Sequence, residues 1–149
     1  MKITIQNISK TDLKIDTNKL KKHLNDILAE LGEKKASLNI VLVNNEYIKE
    51  LNLRYRKINR ATDILAFTAD QEKELKEGNE KEMGDIAISL EMAKLQSKIF
   101  KNSLEKEVTL LLTHGVLHLL GYDHHNKKDE EKMNSLQKEL MEKYYKHKN

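Results

Sequence analysis

The sequence predicts an α+β fold of a single domain, a small four-stranded sheet covered by about five helices, with a central apolar helix carrying metal ligands. Three observations predict it. Short strand-like segments alternate with amphipathic helical stripes. No internal repeat, Pro-rich linker or break in composition divides the 149 residues, a length at which folding buries roughly 70% of the unfolded chain's surface. Finally, the span 104–120 is almost uniformly apolar, as expected of a helix buried at the centre of a domain.

Residues 2–8 alternate like a strand, with Ile3 and Ile5 on one face. Thr17 offers an N-cap, and Leu20, Leu24, Ile27, Leu28 and Leu31 then form one helical stripe that ends at Gly32. Leu38 to Val43 is β-rich, and Asn44 or Asn45 can cap a short helix carrying Ile48 and Leu51. Ile64–Phe67 and Asp85–Ile88 read as short strands. The Glu- and Lys-rich segment 70–83 between them has no apolar periodicity and reads as a mobile surface loop.

Ser89 can cap a helix running to about Phe100. Asn102 or Ser103 can cap the next, with Glu105 three residues after Asn102 as in a capping box, and that helix runs to Leu120 and stops at Gly121. A last helix, roughly Asp129 to Tyr145, places Met133, Leu136, Leu140 and Tyr144 on one face.

Composition narrows the function. The net charge of +3 is the remainder of 27 basic and 24 acidic side chains, so bulk charge does not announce a polyanion partner and any nucleic-acid site must be local. Absence of Cys excludes disulfides, thiolate zinc sites and Cys nucleophiles, leaving histidine and carboxylate as metal ligands. No secretory signal is visible at the N-terminus, and the most apolar stretch, Leu110 to Tyr122, is too short for a bilayer, which takes about 20 residues. A cytoplasmic location without membrane association is therefore expected.

Four of the six histidines fall within the twelve residues 114–125. His114 and His118 are four apart on an expected helix, so their imidazoles leave one face a single turn apart. Gly121 stops the helix and lets the chain turn back, bringing His124 to the same ion. Three imidazoles on Zn²⁺ leave one tetrahedral position for water, the catalytic arrangement, whereas structural zinc sites are closed by four protein ligands. His125 can replace His124 as the third ligand. Gly115 costs about 1 kcal/mol relative to Ala in a helix, so a packing or functional reason is expected, and it would keep space open beside the metal. It also stands where His-Glu-x-x-His peptidases carry their general-base Glu.

Arg54, Arg56 and Arg60, the only arginines in the chain, lie within seven residues. Their planar donor forks suit phosphate oxygens beside a hydrolytic metal, though a solvated helix end with ordinary ion pairs uses the same residues. Asp63, Asp85 and Asp123 each read as a turn residue or as a carboxylate orienting an imidazole.

The run His114-Gly115-Val116-Leu117-His118-Leu119-Leu120-Gly121-Tyr122-Asp123-His124 resembles the signature of the YbeY family of bacterial ribosomal-RNA maturation endoribonucleases, and matches it at every fixed position. Leu51-Asn52 with Tyr55-Arg56, Thr62-Asp63-Ile64-Leu65 with Phe67, and Gly84-Asp85-Ile86 with Ile88-Ser89 resemble the family's upstream blocks in order. Ala61 and Thr68 stand where the family commonly has Pro, and Ala66 where it has Ser.

The resemblance implies a zinc-dependent, single-strand-specific endoribonuclease acting in ribosomal-RNA 3′-end processing and ribosome quality control. It implies one zinc per chain on His114, His118 and His124, a functional arginine at Arg56, and RNA and the ribosome, not DNA, as partners. Two other readings use the same residues: a metzincin-like metallopeptidase, whose histidine spacing is shared, and a non-catalytic ribosome-binding factor stapled by zinc.

Overall fold

The computed structural model describes residues 2–33, 35–69, 81–122 and 125–145. In chain order these form β1 (Lys2–Asn7), α1 (Thr17–Glu30), β2 (Ala36–Val43), α2 (Asn45–Arg56), β3 (Ile64–Thr68), β4 (Lys81–Ser89), α3 (Leu90–Ile99), α4 (Leu104–Leu119) and α5 (Lys127–Tyr144). The strands make a four-stranded sheet ordered β1-β2-β4-β3, in which β1, β2 and β4 are parallel and β3 runs antiparallel along β4 as an edge strand. The α+β class and the sheet of four strands agree with the sequence reading.

Strand alternation gives the sheet two apolar faces. Leu38, Ile40 and Leu42 of β2, Ile86 and Ile88 of β4, and Ile64 and Ala66 of β3 point to the side covered by α1, α3 and α4. Val41, Val43, Leu65, Phe67 and Ala87 point to the other side, where α2 packs with Ile48 and Leu51. The α1 stripe is buried as its spacing predicts, with Leu20, Leu24, Ile27 and Leu28 at 1% exposure or less. Met133, Leu136, Leu140 and Tyr144 of α5 close over Ile27 and Leu117.

The helix starts show how local chemistry sets boundaries. Asp16, not Thr17, caps α1, its carboxylate accepting from the Asn18 and Lys19 amides at 3.0 and 3.2 Å. Asn44 caps α2 and Ser89 caps α3. Ser103 caps α4 through the Lys106 amide at 3.1 Å, while Asn102 gives its side-chain amide to Glu107 at 3.0 Å, so the expected Asn102–Glu105 box does not form. Asn126 caps α5, starting it two residues before the expected Asp129.

The strand β4 begins at Lys81, so residues 81–83, expected in a loop, are strand, and Met83 is buried. The rest of the expected loop, 70–80, lies outside the described residues. A register shift on entering β4 pairs Ser37 with Glu82 but Leu38 with Gly84, leaving Met83 as the extra residue of a bulge.

At the far end of the molecule, Glu30 accepts from Lys143 at 2.8 Å and from the Tyr144 hydroxyl at 2.7 Å, joining the ends of α1 and α5. The Lys143 hydrogen bond, then that of Tyr144, holds the Glu30 carboxyl below the usual carboxylate range. The same contacts raise Lys143 and Tyr144.

Candidate functional site

The helix α4 runs under the sheet with Val108, Leu112, Val116 and Leu117 fully buried. It touches β3 and β4 as well as α1, α3 and α5, which makes it the central helix expected from its composition. Its buried hydroxyls back-bond to the helix: Thr109 donates to the Glu105 carbonyl and Thr113 to the Thr109 carbonyl, both at 2.8 Å, and the Thr113 hydroxyl also lies 3.7 Å from Met141 Sδ on α5. Gly115 is where the helix comes closest to the sheet. A Cβ there would lie 2.9 Å from Ile64 Cδ1 and 3.0 Å from Ile86 Cδ1. Close packing against these two side chains is thus a structural reason for the mid-helix glycine, of the packing kind expected from the sequence, and Gly115 also lines the cleft beside His114.

Beside this contact the helix faces a cleft of about 640 Å³ along the edge strand β3. His114 and Gly115 line it with His118, one turn on; opposite stand Tyr55 and Arg56 of α2, with Thr62 and Asp63 from the loop before β3. His114 is half-buried and His118 exposed. Residues four apart on a helix hold their Cβ atoms about 5–6 Å apart, so both imidazoles can reach one small cation.

The His114 ring has a fixed orientation. Its Nδ1 lies 3.0 Å from Gln137 Oε1 on α5. With that oxygen accepting, Nδ1 carries the proton and Nε2 keeps its lone pair for a metal, the usual arrangement behind a ligating histidine. The donor set therefore fits zinc as far as it is described: two imidazoles on one helix face, one held by an outer hydrogen bond. His124 and Asp123 lie outside the described residues, and among the described residues no group of three metal-binding side chains converges. His125 is exposed next to the α5 cap and is not part of the cleft wall.

Only one of the three arginines lines the cleft. Arg56 sits in the last turn of α2, with Lys57 behind it in the left-handed conformation (φ 63°) that ends the helix. Arg54 and Arg60 are exposed and lie outside the cleft wall. The chain after α2 is held by buried Asn52, whose side-chain amide donates to the Arg60 carbonyl at 2.9 Å. Asp63 is held in place: its carboxylate accepts from Gln96 at 3.1 Å and from the Thr62 hydroxyl at 3.4 Å, and its carbonyl from the Ser89 amide at 3.0 Å. It shapes the cleft rim through α3. Asp85 points to the opposite side of the sheet, away from the histidines.

Two contributors were not singled out by sequence reasoning. Gln137 lies on the α5 face that also carries Met133, and nothing in its local sequence distinguishes it from a surface glutamine. Tyr55 sits among the arginines, but its packing against Phe67, with ring centroids 5.1 Å apart, depends on how α2 meets β3.

Comparison with known proteins gives the family of the chain. The family model for endoribonuclease YbeY matches residues 4–145. Curated endoribonuclease YbeY proteins are similar over most of their length: 37% identity to that of Acholeplasma laidlawii over 87% of this chain and 90% of that one, and 37% to that of Caldicellulosiruptor bescii over 95% and 96%. The protein of Syntrophomonas wolfei is 43% identical over 71% of each chain. Among solved structures, the solution structure of a Thermotoga maritima protein superposes with a TM-score of 0.60 at 28% identity, covering 95% of this chain and 91% of that one. With an open four-stranded sheet, a histidine pair on the helix beneath it and a family match along nearly its whole length, the chain belongs to the endoribonuclease YbeY family.

Proposed function

We propose that this chain is a zinc-dependent endoribonuclease that cuts single-stranded RNA at the cleft between α4 and α2, as one domain holding one metal on His114, His118 and His124. The observation that carries the reading is the meeting of His114, His118 and Arg56 in one cleft of a chain belonging to an endoribonuclease family. When bound, zinc supplies a Lewis acid that lowers the pKa of a coordinated water toward about 7 or polarises a phosphoryl oxygen.

The chain's own residues do the rest. Gln137 fixes the His114 ring, and α4 fixes the spacing of the pair. Arg56 offers its planar fork to the non-bridging oxygens of the scissile phosphate, where negative charge accumulates. Arg54 and Arg60 hold neighbouring phosphates from outside the cleft. Either water or the RNA 2′-hydroxyl attacks, and the chemistry of the cleaved ends distinguishes them: a cyclic phosphate marks the 2′-hydroxyl route. Ribosomal-RNA 3′-end processing, ribosome quality control and a cytoplasmic location complete the proposal. A modest net charge of +3 favours docking on a defined ribosomal surface over indiscriminate RNA binding.

Peptide hydrolysis fits the site less well, because Gly115 offers no carboxylate where a His-Glu-x-x-His enzyme has its base, and the contact with Ile64 and Ile86 leaves no room for one. Incubation with single-stranded RNA, double-stranded RNA and casein separates the readings. Cleavage of single-stranded RNA alone is expected, and Arg56→Ala is expected to lower kcat about 10²–10³-fold, as when one donor to a developing oxyanion is removed. Casein cleavage, or an Arg56→Ala variant as fast as the native protein, contradicts the proposal.

A further inference from the structure

Beyond the cleft, the sheet face on which α2 packs is only partly covered among the described residues. Val41, Ala87 and Leu65 form one row across β2, β4 and β3, sheltered by Ile48 and Leu51 of α2. The next row, Asn39, Asp85 and Phe67, lies beyond this shelter, and a groove of about 370 Å³ opens over it between Tyr47 and Tyr55. Tyr55 and Phe67 also line the histidine cleft, so the groove and the cleft share a wall.

The groove is aromatic and exposed. Tyr47 is 43% and Tyr55 59% accessible, an unusual amount of ring surface to leave in water. Tyr55 is nonetheless oriented, since Phe67 supports it at 5.1 Å with the rings tilted by 60°. Among the described residues, Asp85 is the only charged side chain in the groove wall. A carboxylate repels phosphate, so the RNA backbone is directed to Arg56 in the cleft while the groove is left for something flat, apolar-faced and polar-edged.

We propose that this groove takes an unpaired base of the RNA, next to the phosphate that is cut, stacked on Tyr55; this rests on the RNA-cleaving reading of the adjoining cleft. Every base has a π-face, so stacking needs no particular sequence. At the groove floor Asp85 can accept from an exocyclic amino group, and Asn39 can donate and accept along a base edge. The arrangement gives a physical reason for preferring single strands, because a base held in a duplex would have to unpair and unstack before it could enter.

The test uses the full chain and single-stranded RNA oligonucleotides carrying 2-aminopurine at successive positions, whose fluorescence falls on stacking. Native protein is expected to quench the probe at one position beside the cleavage point. Tyr55→Ala should lose this quench, weaken binding about 5- to 100-fold, and raise KM for cleavage with little change in kcat. Tyr55→Phe, which keeps the ring, should restore both binding and quench. Tyr47→Ala, a second exposed position, should weaken binding less, and circular dichroism should report an unchanged fold for all three.

Native-like binding and quench by Tyr55→Ala, in a protein whose native form binds and cuts RNA, overturns the groove proposal alone. Equal loss with Tyr55→Phe overturns it too, by assigning the effect to the hydroxyl. A native chain that neither binds nor cuts RNA overturns both this proposal and the reading beneath it.

Discussion

His114→Ala is expected to abolish measurable cleavage of single-stranded RNA, a loss of about 10³-fold or more, since a metal ion at a phosphoryl centre contributes several kcal/mol to the transition state. The fold should survive, because the half-buried ring lies at the helix surface beside the cleft and outside the packed apolar cluster. A companion variant makes the expectation sharper. Gln137→Ala removes only the 3.0 Å contact that orients the ring, and is expected to weaken zinc binding about 10- to 100-fold. Added zinc should restore cleavage by Gln137→Ala but not by His114→Ala. Full activity of His114→Ala, or a Gln137→Ala defect that zinc leaves untouched, would show that this ring does not serve a metal.

The largest structural effect is expected at Gly84, remote from the histidines. Its φ of 141° is a conformation that L side chains rarely adopt, and a Cβ would lie 2.1 Å from the Phe67 carbonyl oxygen. Phe67 belongs to the edge strand that walls the cleft, and its carbonyl is main chain, so the clash cannot be relieved by a side-chain rotation. Backbone strain and overpacking each cost about 1–3 kcal/mol. Together they should lower the thermal midpoint of Gly84→Ala by roughly 5–15 °C in a chain of this size. Gly32→Ala is the control. Its φ of 79° is also positive but nearer the left-handed region that L residues can enter, and nothing lies within 4 Å of the added carbon, so it should lose only a fraction as much. Equal losses at the two positions in thermal unfolding would remove the steric argument.

The sequence made the faces of the elements legible more readily than their arrangement. The spacing of Leu20, Leu24, Ile27 and Leu28 identifies the buried stripe of α1, because side-chain period and helix period coincide. It does not choose between adjacent capping residues, and Asp16 takes the position assigned to Thr17 because its carboxylate reaches two amides. Alternation likewise says which strand residues share a face, but not which strand lies beside which. The insertion of β4 between β2 and β3 depends on long-range pairing that no local pattern carries.

The candidate site divides in the same way. His114 and His118 are readable as a pair because four residues on a helix fix their relation, and the sequence placed Arg56 near them without separating it from Arg54 and Arg60. The separation comes from where α2 ends against β3, which turns one guanidinium into the cleft and leaves two outside it. Gln137 and the Tyr55–Phe67 contact were illegible for the same reason: each exists only where two elements distant in sequence dock. Gly115 was readable as a glycine with a purpose, but the neighbours that give it one, Ile64 and Ile86, come from two other strands.

In the proposed mechanism this cleft cuts RNA through a metal held by His114, His118 and His124. Stripping the native protein of metal with a chelator, confirming its fold by circular dichroism, and titrating zinc back while measuring cleavage of single-stranded RNA tests it most directly. The rate should be absent at the start and rise in proportion to zinc bound, levelling at about one equivalent per chain as expected of a single three-histidine site. A folded, metal-free protein that cleaves RNA at the native rate would contradict the account.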